Sequence, residues 1–314
     1  MKNNKRLGVV MDPISRIHFH KDSTLAMLLE AKKRGLTLFY FELHDLFISD
    51  GEPYGYARCL DVFDDEKHWF SLKAPKVMAL RDLAIILMRK DPPFNEAYYY
   101  STYVLEYAED LGVTVVNRPL ALRNSNEKLL ATRFPDCMPS FLVTQSIALL
   151  HEFRKAHEEI VCKPLGGMGG LDIFRIKRTD QNATVIFDLL TARETQYIMA
   201  QVFIPEIKEG DKRILMINGK PIPYALVRVP QGDDWRGNLA VGAKGVVKPL
   251  SERDRFIAGE VGPYLKTQGF YFAGLDVIGD KLTEINVTSP TGIREIEKEM
   301  GINISAELFE ALGF

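Results

Sequence analysis

A short segment near the carboxyl end of the chain, GLDVIGDKLTEINVTSP, places three side chains with hard oxygen atoms on two apolar runs that flank a turn. These side chains are Asp276, Glu284 and Asn286. Side chains alternate between the two faces of a strand, so Glu284 and Asn286 point the same way. A two-residue turn, Gly279-Asp280, would put Asp276 opposite Thr283 and on the other face from Glu284. One further residue in the loop would bring the two carboxylates face to face.

The length of this loop also decides what the second face of the hairpin carries. With a three-residue loop, Gly279–Lys281, the second face is purely apolar, and we therefore predict that loop. Its members are Leu275, Val277, Ile285 and Val287. The oxygen set on the first face suits Mg²⁺, which combines a few carboxylates with nucleotide phosphates. A solvated acidic strand face would explain Glu284 alone, but it explains the whole set and the Thr288-Ser289-Pro290 that follows less well.

Length and composition exclude several classes of protein. The chain has 314 residues, which suits two or three lobes of roughly 100 residues each. A net charge of −2 predicts neither nucleic acid nor a membrane surface as a partner. The three cysteines are widely spaced, so we expect no disulfide framework and a cytoplasmic location. The apolar run at the start, Leu7–Met11, is too short for a signal peptide, and no Cys/His spacing predicts a zinc site.

The first third of the chain alternates between short apolar runs and helical patterns. The predicted strands are Leu7–Met11, Leu36–Phe41, Ala84–Met88 and Val113–Val116, and the predicted helices are Ser23–Arg34 and Tyr98–Leu111. This order predicts a parallel sheet covered by helices. Such sheets place their working groups at the carboxyl ends of strands, where Asp12 and Arg89-Lys90-Asp91 lie. Residues Gly51–Lys76 carry no recognisable motif.

The pattern changes after Asn117-Arg118-Pro119. Asn124 or Ser125 is expected to cap a helix that begins near Glu127. Antiparallel pairs follow, at Ile160–Pro164 with Asp172–Ile176 and at Arg213–Ile217 with Pro221–Val229, before helices at Leu250–Gln268 and Ile304–Leu312. We predict an α/β plus α+β fold, with a parallel-sheet N-terminal lobe at 1–122, a central lobe with a glycine-rich loop at 123–201, and a C-terminal lobe with the metal hairpin and a closing loop at 202–314.

The stretch KPLGGMGG, which begins at Lys163, has four glycines in five residues. Glycine lets backbone N–H groups approach an anion closely. No Gly-Lys-Ser/Thr ends the stretch, and the DIFRI that follows alternates like a strand, so it is neither a Walker A loop nor a dinucleotide fingerprint. It predicts a hairpin loop over phosphates, with a flexible tip as the alternative. Lys163 suits a phosphate, although a solvated edge lysine would look the same.

Several cations are scattered along the chain, and arginine suits bidentate contact with carboxylates and phosphates. They are Arg89, Lys128, Arg213, Arg228, Arg236 and Arg294. Most arginines in a protein are surface groups or structural ion pairs, so each one alone indicates little. The long polar, glycine-bearing loop from Val229 to Gly242 is typical of a lid, although a crossing without function is an equal alternative.

These motifs together resemble the bacterial glutathione synthetases, which are ATP-grasp ligases. The matching stretches run nearly end to end: GVVMDPI, LMRKDPPF, NEKL, KPLGGMGG, EGDKRIL, RVPQG, RGNLAVG and GLDVIGDKLTEINVTSPTGIREIE. The resemblance implies a two-lobed ATP-grasp fold behind an N-terminal substrate lobe. Some members carry cysteine at the position of Gly292, so no thiol role is available there.

The resemblance also implies a reaction in which ATP converts γ-glutamylcysteine to an acyl phosphate that glycine attacks, giving glutathione, ADP and phosphate. It implies an ATP site at Lys128, Lys163, Gly166, Gly167, Met168, Gly169, Gly170, Met199, Gln201, Val202, Asp211 and Asn286. It implies Mg²⁺, with Mn²⁺ as the alternative, at Asp276, Glu284 and Asn286, and catalytic roles for Arg213, Arg228 and Arg236. It implies substrate contacts at Asp12, Arg89, Arg228, Arg236, Ser289 and Arg294.

The resemblance implies a cytoplasmic homotetramer that takes only small-molecule substrates. Two other functions fit parts of the sequence. Another ATP-grasp ligase, such as a D-alanine–D-alanine type, would share the metal and nucleotide groups and differ in the arginines and the lid. A nucleotide-binding regulatory protein, as the synapsins illustrate, would have lost the chemistry, but Asp276, Glu284 and Asn286 are all present here.

Overall fold

Three β-sheets follow one another along the described part of the chain and carry all of its strands. The computed structural model describes residues 5–167, 169–232 and 244–314. The first sheet has eight strands, the second four and the third five. None of the helices within those described ranges combines the length and apolarity needed to cross a bilayer.

The first sheet is built around the four strands that the sequence predicts. They are β1 (Arg6–Val10), β2 (Thr37–Phe41), β7 (Ile85–Met88) and β8 (Thr114–Val116). The pairings among these four strands are all parallel, in the order β2-β1-β7-β8, so the predicted parallel arrangement is confirmed for them. Helices α1 (Ser23–Lys33), α2 (Glu96–Asp110) and α3 (Pro119–Arg123) accompany it. Asp22 and Asn95 cap the first two helices through their side chains.

Residues 46–79 extend this sheet with strands that the sequence analysis did not predict. They are β3 (Leu46–Ser49), β4 (Glu52–Val62), β5 (Phe70–Leu72) and β6 (Lys76–Ala79). Strand β4 pairs antiparallel with β2 and with the other three, so the sheet is mixed rather than purely parallel. The strand is only half-buried and contains Pro53 and Gly55, so it lacks the continuous apolar run that marks a buried strand.

The second sheet has the order β11-β10-β12-β9. Its strands are β9 (Phe141–Thr144), β10 (Glu159–Pro164), β11 (Phe174–Lys177) and β12 (Ile198–Val202), and the accompanying helices are α4 (Glu127–Ala131), α5 (Ile147–Ala156) and α6 (Ala183–Leu190). The predicted antiparallel pair around the glycine-rich loop is confirmed as β10 and β11. Asn126, rather than Asn124 or Ser125, caps α4, because its side chain accepts from the amides of Lys128 and Leu129.

The third sheet has the order β15-β14-β13-β16-β17. Its strands are β13 (Asp211–Ile217), β14 (Lys220–Val229), β15 (Lys244–Pro249), β16 (Phe272–Ile278) and β17 (Lys281–Asn286), and its helices are α7 (Glu252–Gln268), α8 (Ile293–Met300) and α9 (Ile304–Ala311). Asn218 and Gly219 join β13 to β14 with φ of 46° and 78°, so the predicted hairpin turn is confirmed. A Cβ on Gly262 would lie 2.1 Å from the Gly219 carbonyl oxygen, so α7 packs on this turn only through glycine.

The register of the β16–β17 hairpin differs from the prediction in where its extra residue lies. Ile278 pairs with Lys281, so the loop is the two-residue Gly279-Asp280 and the predicted three-residue loop is wrong. The register then shifts between Asp276 and Val277, and Asp276 still pairs with Glu284. A β-bulge therefore absorbs the residue that the prediction placed in the loop. The opposite face is the predicted apolar one, and its four members are fully buried: Leu275, Val277, Ile285 and Val287.

A buried amide joins the first sheet to the third. Asn117, directly after β8, donates from Nδ2 to the carbonyl oxygens of Phe272 and Val287, at 2.7 Å each. Its Oδ1 accepts from the Phe272 amide at 2.9 Å. Both ends of the β16–β17 hairpin are therefore held by one side chain from the N-terminal lobe.

We expect Asn117→Ala to lower the free energy of unfolding by about 3 kcal/mol, because three buried polar groups lose their partner. Denaturant unfolding measures this loss. Asn182→Ala is the control, since Asn182 is exposed and its side chain makes no capping bond. A loss no larger than that of the control would contradict the role of Asn117 as a tie between the lobes.

Candidate active site

The ligand-bearing face of the β16–β17 hairpin opens on two adjoining cavities. Asp276, Glu284, Gly167 and Gly169 line both of them. One cavity extends along β10 and β12 toward Gln201, and the other extends toward the residues that follow β17. The hairpin therefore forms a shared wall between two compartments.

Asp276 is held by two arginines from neighbouring strands. Its Oδ1 accepts from Arg213 Nε at 2.6 Å, and its Oδ2 accepts from Arg213 Nη2 at 3.0 Å. Arg228 Nη2 lies 3.1 Å from the same Oδ2, and Asn286 Nδ2 donates to it at 3.1 Å. Burial by itself would raise the pKa of Asp276, but Arg213 and Arg228 outweigh it and hold that pKa far below its usual range.

Glu284 lies between two lysines from different elements. Its Oε1 is 3.6 Å from Lys128 Nζ on α4 and 3.5 Å from Lys163 Nζ on β10. Burial favours the neutral acid, yet the two lysines together lower the pKa of Glu284. Burial also lowers the pKa of Lys163 despite its attraction to Glu284. Lys128 Nζ additionally donates to the Gly167 carbonyl oxygen at 2.6 Å, which ties the glycine-rich loop to this group.

Asp211 completes the buried charges. Its Oδ2 accepts from Arg228 Nη2 at 2.6 Å, whereas its Oδ1 is buried and has no hydrogen-bond partner among the described residues. Burial and the negative charge of Asp276 raise the pKa of Asp211, and Arg228 opposes them. An unpaired buried oxygen at the wall of a cavity suits a ligand that brings a hydroxyl group or a cation.

The compartment beside β10 and β12 is largely apolar. Its lining includes Val161, Leu171, Ile173, Val202, Ile204 and Ile278. The Nε2 of Gln201 is buried there without a partner in the described part of the chain. An apolar cavity wall with an unpartnered amide donor suits a purine base. Met199, by contrast, is fully buried and packs in the hydrophobic core, so the structure does not place its side chain at the cavity.

Glycines of the KPLGGMGG stretch form one edge of the cleft. Gly167, Gly169 and Gly170 line it, whereas Gly166 lines a neighbouring cavity beside α4. Gly169 and Gly170 have φ of 66° and 80°, which other residues rarely adopt. Met168 and Arg236 lie outside the described residues, as does most of the loop expected to act as a lid.

Three of the predicted substrate residues make other contacts. Arg89 is buried and donates to Thr24 Oγ1 at 3.1 Å and to the Pro290 carbonyl oxygen at 2.9 Å, so it fixes the chain after β17. Arg294 lines a different cavity and pairs with Asp64 at 2.6 Å.

Asp12 forms an ion pair with Lys90 at 3.0 Å and accepts from the Asp91 amide, so it supports the loop after β7. Ser289 does line the cleft and bonds to Asp91.

Glu127 and Asp91 also line the second compartment. The sequence analysis placed Asp91 at the carboxyl end of a parallel strand without giving it a role, and it missed Glu127 as a site residue. Glu127 lies beside Lys128 in the NEKL stretch, and only Lys128 was predicted to be a site residue. A carboxylate one residue from a predicted phosphate-binding lysine was the available signal.

The oxygen set fits a hard divalent cation only in part. No group of three or more His, Cys, Asp or Glu side chains within residues 5–167, 169–232 and 244–314 could hold a metal by itself. Glu284 and Asn286 point into the cleft, and Mg²⁺ usually takes only one or two carboxylates and completes its shell with phosphates and water. Asp276 is engaged by arginines, so it would serve the cation once those arginines have another anion to bind.

Solved structures share this architecture over almost the whole chain. D-cycloserine synthetase DcsG matches with a TM-score of 0.66 and 14% identity, covering 98% of both chains. The D-alanyl-alanine synthetase A of Vibrio cholerae matches with a TM-score of 0.60 and 11% identity, covering 99% of this chain and 98% of the other. Identities this low show the fold alone. The fold is therefore the one that ATP-grasp ligases have.

Matches to protein-family models identify a narrower group within this fold. The model of the prokaryotic glutathione synthetase N-terminal domain matches residues 6–123, and that of the prokaryotic glutathione synthetase ATP-grasp domain matches residues 127–301. The glutathione synthetase of Pseudomonas aeruginosa is 55% identical over 98% of this chain and 97% of its own length. The glutathione synthetase of Escherichia coli K12 is 50% identical over 98% of this chain and 97% of its own length. The chain belongs to the prokaryotic glutathione synthetase family.

We expect Asp276→Ala to lower the free energy of unfolding by about 3 kcal/mol, because Arg213 would keep its charge in a buried place without an anion and Arg228 would keep only Asp211. Chemical denaturation measures this. The control is Asp64→Ala, whose carboxylate is 65% exposed and pairs with Arg294, and it should cost under about 1 kcal/mol. Equal losses in the two variants would show that the buried pairing is not structural.

Proposed function

We propose that this chain ligates γ-glutamylcysteine to glycine with ATP, giving glutathione, ADP and phosphate. The observation that carries the proposal is the hairpin face of Asp276, Glu284 and Asn286, opposed by buried cations. They are Lys128, Lys163, Arg213 and Arg228. These four cations come from α4, β10, β13 and β14 and lie around the same hairpin face. Lysine and arginine side chains bind phosphate oxygens, so the arrangement suits a phosphate-bearing ligand. The membership of the family supplies the substrate class.

A carboxylate is a poor acylating agent, so it must be activated first. In the proposed reaction the γ-phosphoryl group passes from ATP to the cysteinyl carboxylate, which forms an acyl phosphate and releases ADP. The amine of glycine then attacks the acyl carbon, phosphate leaves with the carboxylate oxygen, and the amine gives up a proton. Phosphoryl transfer needs positioning and charge neutralisation more than covalent help. We assign those tasks to Arg213 and Arg228 at the transferring group, together with Arg236.

Mg²⁺, with Mn²⁺ as the alternative, would be held by Glu284 and Asn286, with Asp276 joining, and would neutralise the nucleotide phosphates. Lys128 and Lys163 would bind the same phosphates. Gln201 and Val202 receive the adenine, where the unpartnered Nε2 of Gln201 offers a donor. The glycines at 166, 167, 169 and 170 cover the phosphates with their backbone amides.

The substrates are proposed to lie in the second compartment, between the residues after β17 and the loop after β7. Ser289 lines that compartment, and Arg228 reaches it from β14. Asp12 and Arg89 act there through the segments that they hold, and Arg294 has no proposed contact with substrate. The proposed division into lobes at 1–122, 123–201 and 202–314, the homotetramer and the cytoplasmic location are supported by the family resemblance.

Another ATP-grasp ligase activity is the competing proposal, and it would use the same nucleotide groups with other substrates. An ADP-release assay with γ-glutamylcysteine, with and without glycine, separates the two. We expect ADP release that requires both substrates and yields glutathione. ADP release with D-alanine in place of both would favour the competing activity, and ATP binding without turnover on any acid and amine would favour a regulatory protein.

We expect Glu284→Gln to lower turnover by about 100-fold while the protein remains folded. The negative charge of Glu284 is needed in the cleft, and its side chain does not pack in the hydrophobic core. Steady-state rates at limiting and saturating Mg²⁺ measure the effect. Glu159→Gln is the matched control, since Glu159 pairs with Arg175 on the β10–β11 hairpin outside the cleft. Unaltered turnover of the Glu284 variant at limiting Mg²⁺ would refute the assignment.

A further inference from the structure

Three hydrogen bonds converge on one carboxylate oxygen directly after strand β17. The Oε1 of Glu127 accepts from the Val287 amide at 2.8 Å, from the Thr288 amide at 3.1 Å and from Thr288 Oγ1 at 2.9 Å. Val287 follows Asn286, the last residue of β17. Glu127 therefore holds the backbone next to a proposed metal ligand.

Glu127 is suited to this role by its environment. Its side chain is only partly exposed, at the wall of the second compartment, and in the described ranges its carboxylate accepts hydrogen bonds from two amides and a hydroxyl group rather than from a cation. Backbone amides beyond the end of a strand have no ladder partner, so a fixed acceptor determines where the chain runs. The Val287 carbonyl oxygen is held from the other side by Asn117.

The neighbours of Glu127 bind two further parts of the cleft. Asn126 Nδ2 donates to the Leu165 carbonyl oxygen at 2.9 Å, and Lys128 Nζ reaches Gly167 and Glu284. Three successive residues at the start of α4 thus contact the glycine-rich loop, the side chain of a proposed metal ligand and the backbone behind it. A shift of α4 would move all three together.

We infer that Glu127 is a positioning residue, which fixes the end of β17 so that Glu284 and Asn286 face the nucleotide phosphates. The inference rests on the proposed function for the metal site. The position of the Glu127 acceptor oxygen, rather than its negative charge, is what holds the backbone after β17 in place. Residues behind the ligands of a metal site typically change metal affinity by 10–100-fold when they are altered.

Two substitutions separate reach from charge. Glu127→Asp keeps the charge and withdraws the oxygens by about 1.5 Å, the length of one C–C bond. Glu127→Gln removes the charge and keeps an acceptor oxygen at the same reach. We expect E127D to raise the Mn²⁺ concentration for half-saturation about tenfold, and E127Q to leave it within about twofold of the unsubstituted protein.

The readout is the electron paramagnetic resonance signal of free Mn²⁺, titrated against the full-length protein with ADP present, beside kcat and the KM for ATP. Glu109→Asp is the control, because Glu109 accepts from Arg118 outside the cleft. If E127D does not fold, Thr288→Val removes one donor to Glu127, and a raised half-saturation concentration is again the supporting result.

The opposite order, with E127Q impaired and E127D normal, would show that charge decides and would overturn the inference. Unchanged Mn²⁺ binding in E127D, or in T288V where that variant replaces it, would overturn it as well. The proposed function fails separately, if the unsubstituted protein binds Mn²⁺ and ADP but forms no glutathione. In that case the Mn²⁺ titration would still test whether Glu127 positions the metal ligands.

Discussion

Neutralisation of buried carboxylates by cations from neighbouring elements is the interaction on which the cleft depends. A carboxylate buried as deeply as Asp276 costs several kcal/mol unless it is paired. Asp276 receives Arg213 from β13 and Arg228 from β14, and Glu284 receives lysines from α4 and β10. Because the partners belong to two sheets and a helix, the charges are balanced only when the central and C-terminal parts are folded around the hairpin.

The same balance explains how one set of residues can serve both stability and the proposed chemistry. Arg213 and Arg228 satisfy Asp276 in the structure described here, and a transferred phosphoryl group would present them with a more highly charged anion. Asp276 would then be released toward a cation. This exchange of partners would keep every buried charge compensated, and it gives a physical reason why the arginines lie on strands of the same sheet as Asp276 rather than in a loop.

The alternation of side chains along a strand was enough to predict that Asp276 and Glu284 face each other. It could not show whether a loop or a bulge at Thr283 supplied the extra residue, since both give the same register. The arginines were the weaker part of the prediction. The sequence gives no reason to distinguish Arg89 from Arg294. Only the packing shows that Arg89 is buried and binds the Pro290 carbonyl oxygen, whereas Arg294 pairs with Asp64. The antiparallel strands at 46–79 were missed because their burial is partial.

The segment after β17 joins the β16–β17 hairpin to the N-terminal lobe and to α4 at several points. Asn117 and Glu127 hold Val287, Arg89 holds the Pro290 carbonyl oxygen, and Ser23 Oγ accepts from the amides of Gly292 and Ile293 at 3.1 Å. These bonds run between residues far apart in sequence, so they form only once the lobes have met. The end of the hairpin and the loop that lines the proposed substrate compartment are therefore one mechanical unit. If the proposed function holds, a change at the substrate compartment would be transmitted to Glu284 and Asn286 along this stretch of backbone.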